Sequence, residues 1–188
     1  YNRFHVVALC SPTRAAMLTG RNQHRVGMGS VAEFPGPFPG YTGAVPKSCA
    51  AVPRILKDNG YVTGGFGKWH MTPDREQGAA GPFEHWPQNW GFNHFWGFLS
   101  GAAGQWDPMI SQDNTTIGVP EGKDGEPYYF PDDLTDKSVE WLHAVRAQDP
   151  EKPWFLYYST GCAHAPHHVA AEWADKYKGK FDQGWDVI

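Results

Sequence analysis

The stretch Phe4-His5-Val6-Val7-Ala8-Leu9-Cys10-Ser11-Pro12-Thr13-Arg14-Ala15-Ala16-Met17-Leu18-Thr19-Gly20-Arg21 reads as a strand, a turn and a short helix. Phe4 to Leu9 is a β-branched and apolar run of strand length. Ser11-Pro12 after it is a helix-start signal, because a serine side chain caps orphan N–H groups and proline is tolerated at the first helical position. Ser11 is thus the predicted N-cap, and Cys10 lies at the helix mouth. Met17 and Leu18 are the predicted core-facing residues. Thr19-Gly20 ends the helix, since glycine adopts the left-handed C-terminal conformation without strain.

The first N–H groups of a helix have no internal partner and the dipole there is positive, so the position favours anions and a thiolate. Arg14 follows Cys10 by one helical turn, which returns its guanidinium to the same face as a planar fork for an oxyanion. The plainer alternative is a small buried cysteine beside a solvated arginine. A tyrosine-phosphatase loop is excluded: it needs arginine six positions after the cysteine, where this chain has Ala16.

Composition bounds the rest. The chain has 188 residues, 40% hydrophobic and 15% aromatic, which is ample material for a core. Sixteen Lys and Arg against 20 Asp and Glu give a net charge of −4 with no basic block, so nothing supports nucleic-acid binding as a main role. Cys10, Cys49 and Cys162 form no dense disulfide framework; Cys49 and Cys162 could pair or stay free, and the redox compartment stays open. The strongest apolar run, around Trp154 to Tyr158, is far too short to cross a membrane. The chain starts at Tyr1 and halts at Ile188 in a charged passage, so the expectation is an internal fragment whose signal peptide, if any, lies outside it.

Along the chain, Phe34 to Gly40 alternates proline and glycine and is a predicted loop. Val45 to Asn59 is a predicted helix stopped by Gly60. Gly60 to His70 reads as a strand in which Lys68 and His70 share one face and Trp69 takes the other, so that a cation and an imidazole line one cleft. It is no phosphate-cradling P-loop, because Val62 holds the first glycine position and Trp69 follows the lysine. A solvated lysine with a core-edge histidine is the plainer alternative.

Gly91 to Gly97 is a predicted short strand before a Gly-Ala loop, with its aromatics read as core and an aromatic substrate-binding wall as the alternative. Met109 to Ile117 is a predicted hairpin around Gln112-Asp113-Asn114, and Asn114-Thr115-Thr116 fits a glycosylation acceptor. Pro131-Asp132-Asp133 supplies cap and first-turn charges to a helix running to about Ala147 rather than a metal pair. Pro153 to Ser159 is a predicted strand of a parallel sheet, buried on both faces. His164 and His168 follow it on a loop, where open α/β sheets place ligands, and Pro166 between them argues against a helical zinc pair. Ala171 to Lys180 is a predicted short helix.

Cys10-Ser11-Pro12-Thr13-Arg14 followed by Thr19-Gly20-Arg21 resembles the first signature of the type I sulfatases, members of the alkaline phosphatase superfamily. Gly60 to His70 looks like the second signature, although Phe66 is bulkier than the residue usual there. His164-Ala165-Pro166 is similar to the segment whose histidine contacts the substrate oxygen, with Ala170 standing where many relatives carry proline. The resemblance covers essentially the whole chain. It implies an α/β fold, a fragment of an alkaline-phosphatase-like mixed, mostly parallel sheet flanked by helices. Residues 1–188 would be an incomplete N-terminal part of the catalytic domain, with both ends missing.

The same resemblance implies hydrolysis of a sulfate monoester, arylsulfatase-like. Cys10 would be oxidised by a maturation enzyme to formylglycine (3-oxoalanine), whose hydrate attacks sulfur and gives a covalent enzyme–sulfate. Arg14 would orient the formylglycine and Lys68 neutralise the transferring group. His164 would serve the leaving oxygen, and His70 would take the proton that lets sulfate depart. It also implies a divalent cation, usually Ca2+, of whose ligands only the modified Cys10 falls within this chain, so the fragment alone is expected to be inactive and to bind calcium poorly. Expected partners are a small-molecule or carbohydrate sulfate ester and the formylglycine-generating enzyme, without nucleic acid or a membrane span. A phosphonate monoester or phosphodiester hydrolase of the same superfamily, a non-catalytic anion-binding module, and a thiol enzyme using Cys10 directly are the alternatives. Periplasmic, secreted and cytoplasmic locations all stay open.

Overall fold

The computed structural model describes every residue except Tyr1, Phe4, Trp185 and Ile188. A five-stranded sheet in the order β4-β3-β2-β1-β5 forms its centre. The strands are β1 (Val62–Lys68), β2 (His94–Phe98), β3 (Ile110–Gln112), β4 (Thr115–Ile117) and β5 (Trp154–Ser159). β1 pairs in parallel with both β2 and β5, while β2-β3 and β3-β4 are antiparallel, so the sheet is mixed. Helices α1 (Cys10–Thr19), α2 (Val52–Asp58), α3 (Phe130–Gln148) and α4 (Ala171–Ala174) complete the fold. None of its helices is long and apolar enough to cross a membrane among the described residues.

Side-chain alternation along β2 sorts the core into two layers. Phe95 joins Leu18, Trp69, Trp86, Phe92 and Tyr157 on the α1 side. Trp96 and Phe98 join Phe66, Ile110, Phe130 and Leu134 on the α3 side. Trp69, fully buried, meets Trp90 edge-on at 5.1 Å and Phe92 at 5.9 Å between ring centroids. Such aromatic pairs each add about 0.5–1.5 kcal/mol beyond the area they bury.

Several local expectations are met. Gly20 closes α1 in the left-handed conformation, with φ 65°. The β3–β4 hairpin turns at Asp113, with φ 54°, and its Oδ1 accepts from the Phe95 N–H of β2 at 2.8 Å. Asp132 and Asp133 are first-turn acids of α3, and Asp133 Oδ2 accepts from Trp96 Nε1 and from the Tyr128 hydroxyl.

Other expectations are corrected. Phe4 lies outside the described residues, and residues 5–9 form no strand: the Val7 and Leu9 carbonyls accept from the Thr13 hydroxyl and N–H, so the segment folds onto α1 instead of joining a ladder. Leu9 is the N-cap and Ser11 is inside the helix, buried, with its Oγ accepting from the Ala32 N–H at 3.3 Å. Met17 is 55% exposed, whereas Leu18 is buried. The second helix spans only Val52–Asp58, because Pro46 bends residues 46–49 into a turn and Pro53 sits comfortably in the first helical turn. β5 is an edge strand with only Tyr157 buried, since β1 is its single ladder partner. The predicted Ala171 to Lys180 helix is a single α-turn continued by a 3-10 turn at Asp175–Tyr177. The three cysteines are unpaired.

Candidate active site

The chemistry-bearing residues gather at the C-terminal ends of β1 and β5. Cys10 is half-buried at the first position of α1, on the wall of an open groove of about 430 Å3 lined also by Val6, Thr13, Arg14, Tyr157 and Ser159. Arg14 Nη1 donates to the Lys68 carbonyl at 2.6 Å, to Ser159 Oγ at 2.6 Å and to the Tyr157 hydroxyl at 2.9 Å. The guanidinium Nη1 is therefore taken up by protein acceptors, while among the described residues its Nη2 makes no hydrogen bond. Its Nε is buried without a partner.

Lys68 closes β1 and is 4% exposed. Burial lowers the pKa of its ammonium; the adjacent Cys10 sulfur opposes that by charge and hydrogen bonding, and the Arg14 charge adds to the lowering. Cys10, Arg14 and Lys68 thus form one interacting group.

His70 lies two residues past the strand end with φ 53°, so simple alternation does not govern where its ring goes. The Trp69 and His70 N–H groups continue the ladder to the Phe98 and Leu99 carbonyls at 2.9 and 3.0 Å. Trp69 Nε1 and the Thr72 hydroxyl both donate to the His85 carbonyl, at 2.9 and 2.8 Å, and clamp the segment from either side of His70. The ring is 3% exposed, and burial lowers its pKa, with hydrogen bonding and charge from Glu33 opposing and Lys68 and Arg14 reinforcing the shift.

Sequence reasoning missed Glu33, whose carboxylate lies against His70 Nε2 at 2.7 Å. A signal was available: Glu33 is the only charged residue between Arg25 and Lys47. Tyr157 and Ser159, the partners of Arg14, were hidden in an apolar strand pattern.

His164 stands apart from this group. It is exposed on the loop after β5, its Nδ1 lies 2.7 Å from the Ala165 carbonyl, and among the described residues no hydrogen bond or ion pair joins it to Cys10, Lys68 or His70. His168 Nδ1 accepts from the Gln105 N–H at 3.2 Å, which sets it to holding the loop rather than pairing with His164.

The residues present do not by themselves fit a calcium site. Ca2+ takes six to eight oxygen ligands, but Cys10 is flanked by two cationic side chains and the nearby carboxylate of Glu33 is turned to His70. Among the described residues no group of three or more His, Cys, Asp or Glu could hold a metal.

The family model for sulfatases matches residues 1–187. Arylsulfatase of Klebsiella aerogenes is 25% identical over 200 residues, covering 100% of this chain and 40% of its own length. Arylsulfatase A of Homo sapiens is 29% identical over 195 residues, 94% of this chain and 36% of its own. The chain therefore spans well under half the length of these relatives. A solved structure of a protein in complex with its substrate D-glucosamine-2-N,6-O-disulfate superposes with a TM-score of 0.65 at 25% identity, over 94% of this chain and 29% of that one. The mixed sheet flanked by helices is accordingly the alkaline-phosphatase-like fold of those neighbours, and with the family match over nearly its full length this chain belongs to the sulfatase family.

Proposed function

We propose that this chain carries the nucleophile end of a sulfatase active site that hydrolyses a sulfate monoester, with Cys10 matured to formylglycine. The observation that supports the reading is the placement of Cys10, Arg14 and Lys68 at the ends of two parallel strands: Arg14, one helical turn after Cys10 and on the same groove wall, donates from Nη1 to the Lys68 carbonyl at 2.6 Å. Formylglycine at position 10 supplies, as its hydrate, the oxygen nucleophile.

The chain's own residues do the remaining work. Lys68, buried at the end of β1, serves as the cation that neutralises the sulfuryl oxygens as they gain charge, and a charge fixed in a site shielded from water stabilises a transition state strongly. Arg14 fixes the turn around position 10 against Tyr157 and Ser159. His70 accepts a proton at a ring nitrogen, and His164 serves the leaving oxygen. The substrate class is an aryl or carbohydrate sulfate, on the strength of the arylsulfatase relatives and of the neighbour bound to a disulfated glucosamine. The enzyme that matures Cys10 is the second partner.

The test begins with mass spectrometry of the tryptic peptide Phe4 to Arg14 from the protein's own source. Sulfur lost and an aldehyde gained at Cys10 is the expected result; an intact thiol removes the nucleophile from this reading. Rates on an aryl sulfate and an aryl phosphodiester then follow, and preference for the phosphodiester would reassign the reaction within the superfamily.

A further inference from the structure

Glu33 Oε1 and Oε2 both lie 2.7 Å from His70 Nε2. An ionised carboxylate only accepts hydrogen bonds, so a neutral His70 ring beside it carries its proton on Nε2 and its lone pair on Nδ1. Glu33 is ionised: partial burial opposes its charge, but hydrogen bonds from His70 and its own N–H, with the charges of His70 and Lys68, hold its pKa below the ordinary carboxylate value. His70 Nδ1 is buried and has no partner among the described residues. It is the ring atom left to take a proton.

The contact is built into the fold at both ends. The residue before Glu33 is tied to α1 directly after Cys10, through the Ala32 N–H on Ser11 Oγ. On the other side Gly101 leaves the space the pair fills, because a Cβ there would fall 2.7 Å from Glu33 Oε1 and 2.7 Å from His70 Nε2. Real Cβ atoms essentially never come so close, so a larger residue there makes the pair shift.

We propose that Glu33 is a positioning residue for His70, fixing the ring as its Nε2–H tautomer so that Nδ1 is the proton-accepting atom, and supplying the counter-charge when the ring becomes an imidazolium. The proposal rests on the reading of His70 as the base. In the step itself one proton passes from a hydroxyl to Nδ1. Glu33 keeps its hydrogen bond to the Nε2 proton and is not protonated, and the Nδ1 proton leaves to water afterwards. The charged groups acting on the ring are Glu33, which favours the imidazolium, and Lys68 and Arg14, which oppose it.

The experiment is a long-range 1H–15N correlation of the histidine rings in the intact protein, combined with pH–rate profiles. The wild type is expected to show His70 with its proton on Nε2. Glu33→Gln retains an acceptor and the tautomer but loses the charge, so the acidic limb of kcat, which includes the departure of sulfate, moves to lower pH. Glu33→Ala loses the tautomer preference, with kcat down on the order of 10²-fold and KM falling with it, because the slowed step follows departure of the alcohol. Gly101→Ala produces the same loss with the carboxylate still present. A wild-type ring protonated on Nδ1, or a Glu33→Ala variant with unchanged tautomer and unchanged acidic limb, overturns the proposal. If the tautomer responds as expected but no sulfate ester is turned over, the positioning by Glu33 stands and the sulfatase reading falls. If sulfate ester is turned over and the tautomer ignores Glu33, the reverse holds.

Discussion

Arg14 Nη1 and Ser159 Oγ lie 2.6 Å apart, which joins the second turn of α1 to the last residue of β5. The same nitrogen holds the Lys68 carbonyl and the Tyr157 hydroxyl, so one side chain locks a helix to two parallel strands where the candidate site forms. Hydrogen bonds from a charged donor to buried acceptors are the stronger kind. Arg14→Lys is therefore expected to lower the unfolding free energy by about 2 kcal/mol, because the shorter lysine ammonium does not reach the position that Nη1 holds among its three acceptors. Urea denaturation checks this, and an unchanged midpoint would make Arg14 a solvated residue.

Gly67 has φ 103°, and a Cβ on it would sit 1.9 Å from the Ser159 carbonyl oxygen. Both the conformation and the space require glycine there. Gly67→Ala is expected to exceed the roughly 0.5–3 kcal/mol usual for point substitutions and to part β1 from β5 next to Lys68. Thermal unfolding alongside soluble yield reads the outcome.

Asp113 at the β3–β4 turn sets the acid limit of that hairpin. Partial burial works against its charge, but hydrogen bonds from His94, the Phe95 N–H and Gln88 leave its pKa below the ordinary value. A depressed folded pKa means stability that is present above the unfolded carboxylate pKa of about 3.9 and lost as pH falls through the folded value. Asp113→Asn is thus expected to be less stable than wild type at pH 6, with the difference shrinking below about pH 4. A difference that stays constant with pH would show that the charge plays no part.

Calcium binding offers a separate check. Titration calorimetry of the 188-residue chain with Ca2+ is expected to give no tight binding, since among the described residues two cations and no cluster of carboxylates adjoin Cys10. Tight binding would reveal an oxygen cage elsewhere in the chain.

Cys10→Ala in the intact protein is expected to reduce aryl sulfate turnover by a factor on the order of 10⁴ or more, as loss of a nucleophile does. Circular dichroism of the variant should be unchanged, because the half-buried Cys10 lies at a groove wall and outside both core clusters.

Much was legible in the sequence because it is written in local contacts and local periods. Cys10, Arg14 and the Gly20 stop fall within one short helix, and α3 and the β3–β4 hairpin carry their own start, period and turn chemistry. The apolar run Trp154–Ser159 was legible as a strand for the same reason, while its place at the sheet edge was not, since neighbour order depends on which strands find each other.

Tertiary structure alone decided the rest. A serine before a proline predicts a cap, but Ser11 was drawn into the interior by the Ala32 N–H, a partner twenty-one residues away. Alternation predicts Lys68 and His70 on one face, but the backbone that sets the His70 ring is left-handed and is held by the clamp from the His85 carbonyl, which no local period contains. The pairing of Glu33 with His70 spans thirty-seven residues and depends on a third segment, at Gly101, staying out of the way. Residue types and spacing determined which groups this chain can offer to an anion. Long-range packing determined which atom of each group is free to act, because hydrogen-bond partners are assigned only once distant segments share one site.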